Sequence, residues 1–159
     1  MKDGDTKGFQ QAYHAQAAVD RTAQIIVAAT LTQESNDKHQ LVPVLEQLEE
    51  NCGWLPAQVS ADAGYCTTEQ VTGEKLRDAD LHVPPGPTKA RGAASETISA
   101  VAPAEASMAE QMRHKRRSAA GQAAYQWRKA IVEPVFGQTK EARGFRRFSF
   151  RAPTKVAAE

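Results

Sequence analysis

The spacing of apolar and polar positions changes along this chain, and each change predicts an element. Residues 9–20, FQQAYHAQAAVD, partly alternate small or apolar with polar side chains, and residues 24–32, QIIVAATLT, are apolar and rich in β-branched residues. Both patterns predict strands, and the short DRTA link joins them as an antiparallel hairpin. In NDKHQLVPVLEQLEENCG the period becomes helical, with Leu41, Val44, Leu45 and Leu48 on one face. Asn36 or Asp37 is placed to cap that helix and Gly53 to end it, while Pro43 falls in the first turn, where its missing N–H costs little. A third strand is predicted within AQVSADAGY (57–65). A second helix follows in TTEQVTGEKLRDAD (67–80), with a threonine cap and a weak point at Gly73, and then a short last strand in LHVPP (81–85). The order β-β-α-β-α-β predicts an α/β or α+β sheet domain.

Residues 86–107 break this regularity. Small residues dominate and aromatics are absent, so the stretch reads as a loop or disordered insertion. From Met108 to Phe150 the chain reads as largely helical and strongly basic, and Pro134 is expected to kink or restart the helix around it.

Composition narrows the function. A chain of 159 residues holds one domain with a real core. Its 41% hydrophobic and 25% charged content is that of a soluble globular protein. No apolar run is long enough to span a membrane, and MKDGDTKGFQ lacks the apolar stretch of a signal peptide. Cys52 and Cys66 match no zinc spacing, so the expectation is reduced thiols in a cytoplasm. The four histidines are scattered, and no glycine-rich nucleotide-binding loop occurs. The net charge of +1 hides a division: residues 1–80 carry 13 acids against 6 Lys and Arg, and residues 81–159 carry 6 acids against 14. Such asymmetry fits either a solvated basic face or a surface that meets a polyanion.

Two acids stand out. Asp62 closes an apolar run and is followed, after Ala63, by Gly64 and Tyr65; it is either a turn residue or a carboxylate at a strand's carboxyl end, where many α/β folds place a metal ligand or base. Glu133 lies between Val132 and Pro134 in the most apolar part of a segment, 111–155, that has 12 Lys and Arg and only 2 Glu. It is either an ion-pair partner for Arg128 or Lys129, or a functional carboxylate.

Together, ADAGY and the ordered set Tyr125, Arg128, Glu133 and Lys140 resemble the signature of DDE-type insertion-sequence transposases, Tyr-x2-Arg-x3-Glu-x6-Lys. The Glu-to-Lys interval is kept, while four residues rather than three separate Arg128 from Glu133. GFQQAYHAQAAVD, SNDKHQL and VEPVFGQTKEARGFRRF add to the likeness, which runs from about Gly8 to Arg151. The resemblance implies a catalytic domain over residues 8–152, interrupted at 86–107. It implies a partial ribonuclease H-like fold, a mixed sheet flanked by helices, with a basic helical C-terminal part. Asp62 and Glu133 are then catalytic metal ligands, and Tyr125, Arg128 and Lys140 are supporting or phosphate-binding groups.

The implied reaction is metal-dependent strand cleavage and transfer on DNA. Two Mg²⁺ or Mn²⁺ ions about 3.5–4 Å apart activate the attacking oxygen and steady the leaving one. Transposon ends and target DNA are the implied partners, with no membrane, a nucleoid-associated cytoplasmic location, and homo-oligomerisation in a full-length parent. Such a site needs a first aspartate. Asp20 is expected at the far end of the hairpin as a turn residue, and Asp37 as a helix cap. The first strand and its aspartate are therefore expected to be missing and both ends cut, leaving weak metal binding and a truncated, inactive transposase fragment, the alternative being a non-catalytic DNA-binding fragment.

Overall fold

A computed structural model describes residues 12–86 and 106–159. Nearly all of the predicted 86–107 insertion, and the start of the predicted first strand, lie outside those residues. The hairpin forms as expected from β1 (His14–Val19) and β2 (Ile26–Thr32), antiparallel with a register shift at Ala18/Val19. Asp20 closes its turn: Oδ2 accepts the backbone N–H groups of Thr22 at 2.9 Å and Ala23 at 2.6 Å.

Helix α1 (Leu41–Cys52) packs on β2 and buries the predicted face of Leu41, Val44, Leu45 and Leu48. Its start differs from the expectation. Neither Asn36 nor Asp37 caps it; the flanking residue is Gln40, which makes no side-chain cap. Asn36 instead accepts the N–H of Lys38 in an exposed local turn, and Asp37 is drawn off by Gln16. Helix starts leave N–H groups without intrahelical partners. Here the buried side chain of Gln70 supplies one, its Oε1 accepting Val42 N–H at 3.0 Å. At the other end Gly53 takes φ 78°, the left-handed cap that glycine adopts without strain.

Strands β3 (Gln58–Ser60) and β4 (Asp80–His82) pair in parallel, Val59 opposite Leu81. Between them the predicted long helix is divided. Helix α2 (Thr68–Thr72), capped by Thr67, stops at Gly73 and gives way to a 3₁₀ turn over Glu74–Leu76. The largest difference concerns the sheet. Among the described residues the four strands form two separate two-stranded sheets, β1-β2 and β3-β4, and not one mixed sheet. One core still joins both pairs. Leu81 and Val83, with Val71 and Leu76, meet the apolar face of α1 and Ala28 of β2. Each such buried aliphatic side chain contributes about 1.5–3 kcal/mol over leaving it in water.

The basic segment forms α3 (Met108–Arg117) and α4 (Ala119–Gly137). A capping box starts α3, with Ser107 and Glu110 satisfying each other's backbone N–H. Ser118 breaks the two helices apart and caps α4 through Gly121 N–H. The chain turns so tightly there that a Cβ on Gly121 would run into the Lys115 carbonyl. Pro134, expected to kink or restart a helix, sits inside α4 without ending it. Its missing N–H leaves the Ala130 carbonyl without its usual i+4 donor. The side-chain amide of Gln24, a hairpin residue at φ 55°, fills that place at 3.0 Å. A π-helical turn, Gln138–Ala142, then follows. The last helix, α5 (Pro153–Ala157), buries Val156 and packs on β2.

Lys115 joins α3 to β4 by an ion pair with Asp80, whose other oxygen meets His82 Nε2 at 2.8 Å. Burial alone would raise the Asp80 carboxyl, but Lys115, Gln58 and His82 together hold it well below the usual carboxylate range.

Two outcomes follow. Gly121→Ala should cost about 1–3 kcal/mol, the usual penalty for forcing atoms into a filled site, read as a lower urea midpoint at unchanged slope. Because the folded state depresses its pKa, Asp80 contributes stability that is complete above the ordinary value of 3.8 and is lost as pH falls through the depressed one. Asp80→Asn should therefore be destabilised by about 1 kcal/mol or less at pH 7, since half of this side chain is in water. The gap between variant and wild type should close progressively below pH 4 in urea melts.

Candidate functional site

Asp62 lies beyond β3, not within it, as the residue that starts a 3₁₀ turn over Ala63–Tyr65. One carboxylate oxygen, Oδ1, accepts Ala63 N–H at 2.7 Å. The other, Oδ2, is 3.6 Å from Nη1 of Arg128, which comes from the middle of α4. Both readings of Asp62 thus have a basis: it builds a turn, and it still presents a carboxylate that is 59% exposed.

The residues after Asp62 are explained by what lies behind them. A Cβ on Gly64 would stand 2.9 Å from Oδ2 of Asp37, so the close approach of that acid favours glycine. Tyr65 donates its hydroxyl to Gln16 Oε1, and the Gln16 amide donates to Asp37 Oδ1 at 2.8 Å. Gln16 is buried in β1, so this chain of bonds ties the hairpin to the Asp62 turn. Burial, then the negative charges of Asp37 and Asp62, push the Tyr65 phenol up to about 12. It stays a neutral donor throughout the physiological range. Asp37 and Gln16 were not legible as neighbours of this turn, because their meeting depends on how the hairpin packs. His14, also on β1, reaches Asp37 at 3.5 Å.

The predicted supporting residues gather in part. The Arg128 guanidinium lies over the Tyr125 ring at 5.1 Å, and Arg116 of α3 lies over the same ring at 5.0 Å. Arg116 is an addition from the structure; its charge was visible, its partner was not. Lys140 sits one turn from Phe136, 5.8 Å over its ring. Glu133 is exposed. Arg128, expected as one of its ion-pair partners, engages Asp62 instead. Five residues along a helix amount to a rotation of about 140°, so α4 shows Glu133 on a different side from the one by which Arg128 meets Asp62. Asp20 spends its carboxylate in the hairpin turn. It is four residues along β1 from Gln16, roughly 13 Å at strand rise.

The donors have the right chemistry for a hard divalent cation, but their gathering does not fit a two-metal centre. Among the described residues no three acids, histidines or cysteines stand close enough to hold a metal ion. Asp62 faces a guanidinium, and Glu133 points elsewhere around its helix.

The site is thus an exposed aspartate after β3 paired with an arginine of a basic helix, within a mixed α/β domain. The family model described as "Transposase DDE domain" matches residues 2–159, and the chain belongs to that family. No curated protein and no solved structure matches it. Members of the family serve DNA transposition and generally use a divalent metal. No helix among the described residues is long and apolar enough to cross a membrane.

Removing the Tyr65 hydroxyl leaves Gln16 Oε1 buried without its donor. Tyr65→Phe should lose about 1–2 kcal/mol, seen as a lower urea midpoint, and should loosen the hairpin from the Asp62 turn. Hydrogen exchange at β1 should quicken more than at β4.

Proposed function

We propose that this domain acts in DNA transposition as the ribonuclease H-like part of a DDE transposase. Asp62 and Glu133 descend from the metal-binding carboxylates, and Tyr125, Arg128 and Lys140 serve as phosphate-binding or positioning groups. The observation that carries the reading is the 3.6 Å approach of Arg128 to Asp62. Two halves of a motif separated by 66 positions meet through side chains of the expected types.

DNA is held by its backbone. Lys and Arg of α3, α4 and the segment after them would neutralise phosphates without reading bases. Arg117, Lys129, Arg143, Arg146 and Arg147 are exposed and within reach of a polyanion. Arg128 is different: only 16% of its side chain is exposed, and its charge is shared with Asp62 and Tyr125. It orients the carboxylate and offers its remaining N–H groups to a phosphate.

Residues 1–159 alone are proposed to bind DNA and not to cut it. Positioning and electrostatics carry most of the catalysis in phosphoryl transfer. A carboxylate neutralised by arginine and a glutamate turned away supply neither in full. A purely DNA-binding role is the second reading, favoured by the same Asp62–Arg128 pairing.

The test is anisotropy on a labelled DNA duplex. Affinity should fall steeply with salt, and Arg117→Ala or Lys129→Ala should each lower the slope by about one, alike on any sequence. Unchanged slopes in both variants would remove the basic helices from the interface. In Mg²⁺ or Mn²⁺, cleavage of the same duplex should equal that of Asp62→Ala. Cutting that Asp62→Ala abolishes would overturn the inactive reading.

A further inference from the structure

Residues 143–151, RGFRRFSFR, interleave three phenylalanines with four arginines. None of the three rings joins the core that α1 builds. Phe145 and Phe150 are 37% and 55% exposed, and Phe148 is half-buried. Arg143, Arg146, Arg147 and Arg151 are all exposed.

Single rings in water are ordinary on a protein surface. These differ because the irregular backbone that carries them is held from outside the segment. Phe145 N–H donates to the Thr139 carbonyl at 3.0 Å. Phe148 meets Phe145 at 5.7 Å and Tyr13, from the other end of the chain, at 6.2 Å, both nearly perpendicular. The Tyr13 hydroxyl accepts Ala152 N–H at 3.0 Å. Ala152 there takes φ 77°, a left-handed conformation that a residue with a Cβ keeps only where its surroundings hold it. The Glu159 carboxylate accepts Ser149 N–H at 2.9 Å and Phe150 N–H at 3.2 Å. Ordering a loop costs entropy, and here the order leaves Phe145 and Phe150 in water.

The charge around these rings selects the occupant. Residues 140–155 carry six Lys and Arg and one acid, Glu141, which pairs with Arg146. That excess calls for a polyanion, and a second copy of this chain would set the same cations against each other. An anionic lipid surface attracts charge alone, for which lysine would serve equally. Four of the six are arginines, which hold phosphate through paired N–H groups and stack on flat rings. In a duplex the base faces are covered by their neighbours, so protein rings gain nothing there. An unpaired base offers its face.

We propose that residues 143–151 form a stacking platform for unpaired DNA, with bases on Phe145 and Phe150 and phosphates on the four arginines. A perpendicular partner covers at most one face of Phe145, leaving the other for a base. Stacking of this kind tolerates any sequence, because every base has a flat face. That the polyanion is DNA rests on the function proposed above; the stacking itself does not.

The probes are a labelled oligothymidylate of about twelve nucleotides, a length one such site covers, and the same strand with every base removed. Each is titrated into residues 1–159 and read by anisotropy. The two carry equal charge, so the ratio of their affinities isolates the bases. Oligothymidylate should bind at least about fivefold tighter, the lower limit for one stacked base. Both affinities should fall alike as salt rises, so the ratio should persist. The double variant Phe145→Leu/Phe150→Leu keeps apolar side chains but loses the rings. It should bring the ratio close to one and leave abasic binding unchanged, which also shows the basic surface intact. If abasic binding is lost as well, Phe150→Leu alone replaces it, since Phe150 joins neither ring contact of this cluster, and the ratio must still fall. A ratio near one in the parent chain overturns the proposal, as does a ratio that the variants leave unchanged. So does a double variant that loses binding to phosphatidylglycerol–phosphatidylcholine vesicles yet keeps its preference for oligothymidylate, since the rings then serve a lipid surface. Duplex binding with a ratio of one defeats the platform and leaves the proposed function standing. Oligothymidylate binding without duplex or abasic binding does the reverse.

Discussion

The site depends on where Arg128 is held. Its guanidinium rests over Tyr125, approaches Asp62, and keeps one N–H without a partner in a buried place. An arginine so nearly removed from water must be compensated by charge and ring contacts, because an isolated buried cation costs several kcal/mol. Those contacts tie α4 to the end of β3. Gln24 bonding to Ala130, and Arg21 lying 5.4 Å over Trp127, tie the same helix to the hairpin. Through α4, elements that make no common sheet are kept in one arrangement.

The charge division of the sequence acquires a structural meaning from this. The basic second half is partly used to dock on the acidic first half, through Lys115 to Asp80 and Arg128 to Asp62. What remains exposed on α3, α4 and the following segment is the surplus that the proposed DNA contact would use. An exposed ion pair contributes little on its own. The docking pairs matter because they accompany packing: Met108 and Met112 of α3 lie against the core that α1 builds.

Family membership and chemistry are separate statements here. The family follows from a match across nearly the whole chain. The proposed chemistry depends on carboxylates meeting, and among the described residues it is an arginine that reaches the Asp62 carboxylate. Asp37 is the acid nearest this turn by its contacts, yet it is committed to Gln16.

Local rules were sufficient wherever a contact lies within one element. The apolar face of α1, the glycine stop at Gly53, the Asp20 turn and the weakness at Gly73 are set by periodicity and backbone sterics, which a sequence carries in consecutive residues. The caps of α1, the fate of Pro134 and the partners of Asp62 were not. Gln70 replaces a local cap from 28 positions away, and Gln24 repairs the proline site from 106 positions away. The ordered types Asp62, Tyr125, Arg128, Glu133 and Lys140 were readable along the chain, and the family with them. Which of these side chains meet was decided by the rotation of α4 against β3. The separation of the described strands into two pairs was likewise decided only in three dimensions. Strand pairing needs a neighbour at about 4.8 Å, and whether one exists is a property of the assembled fold alone.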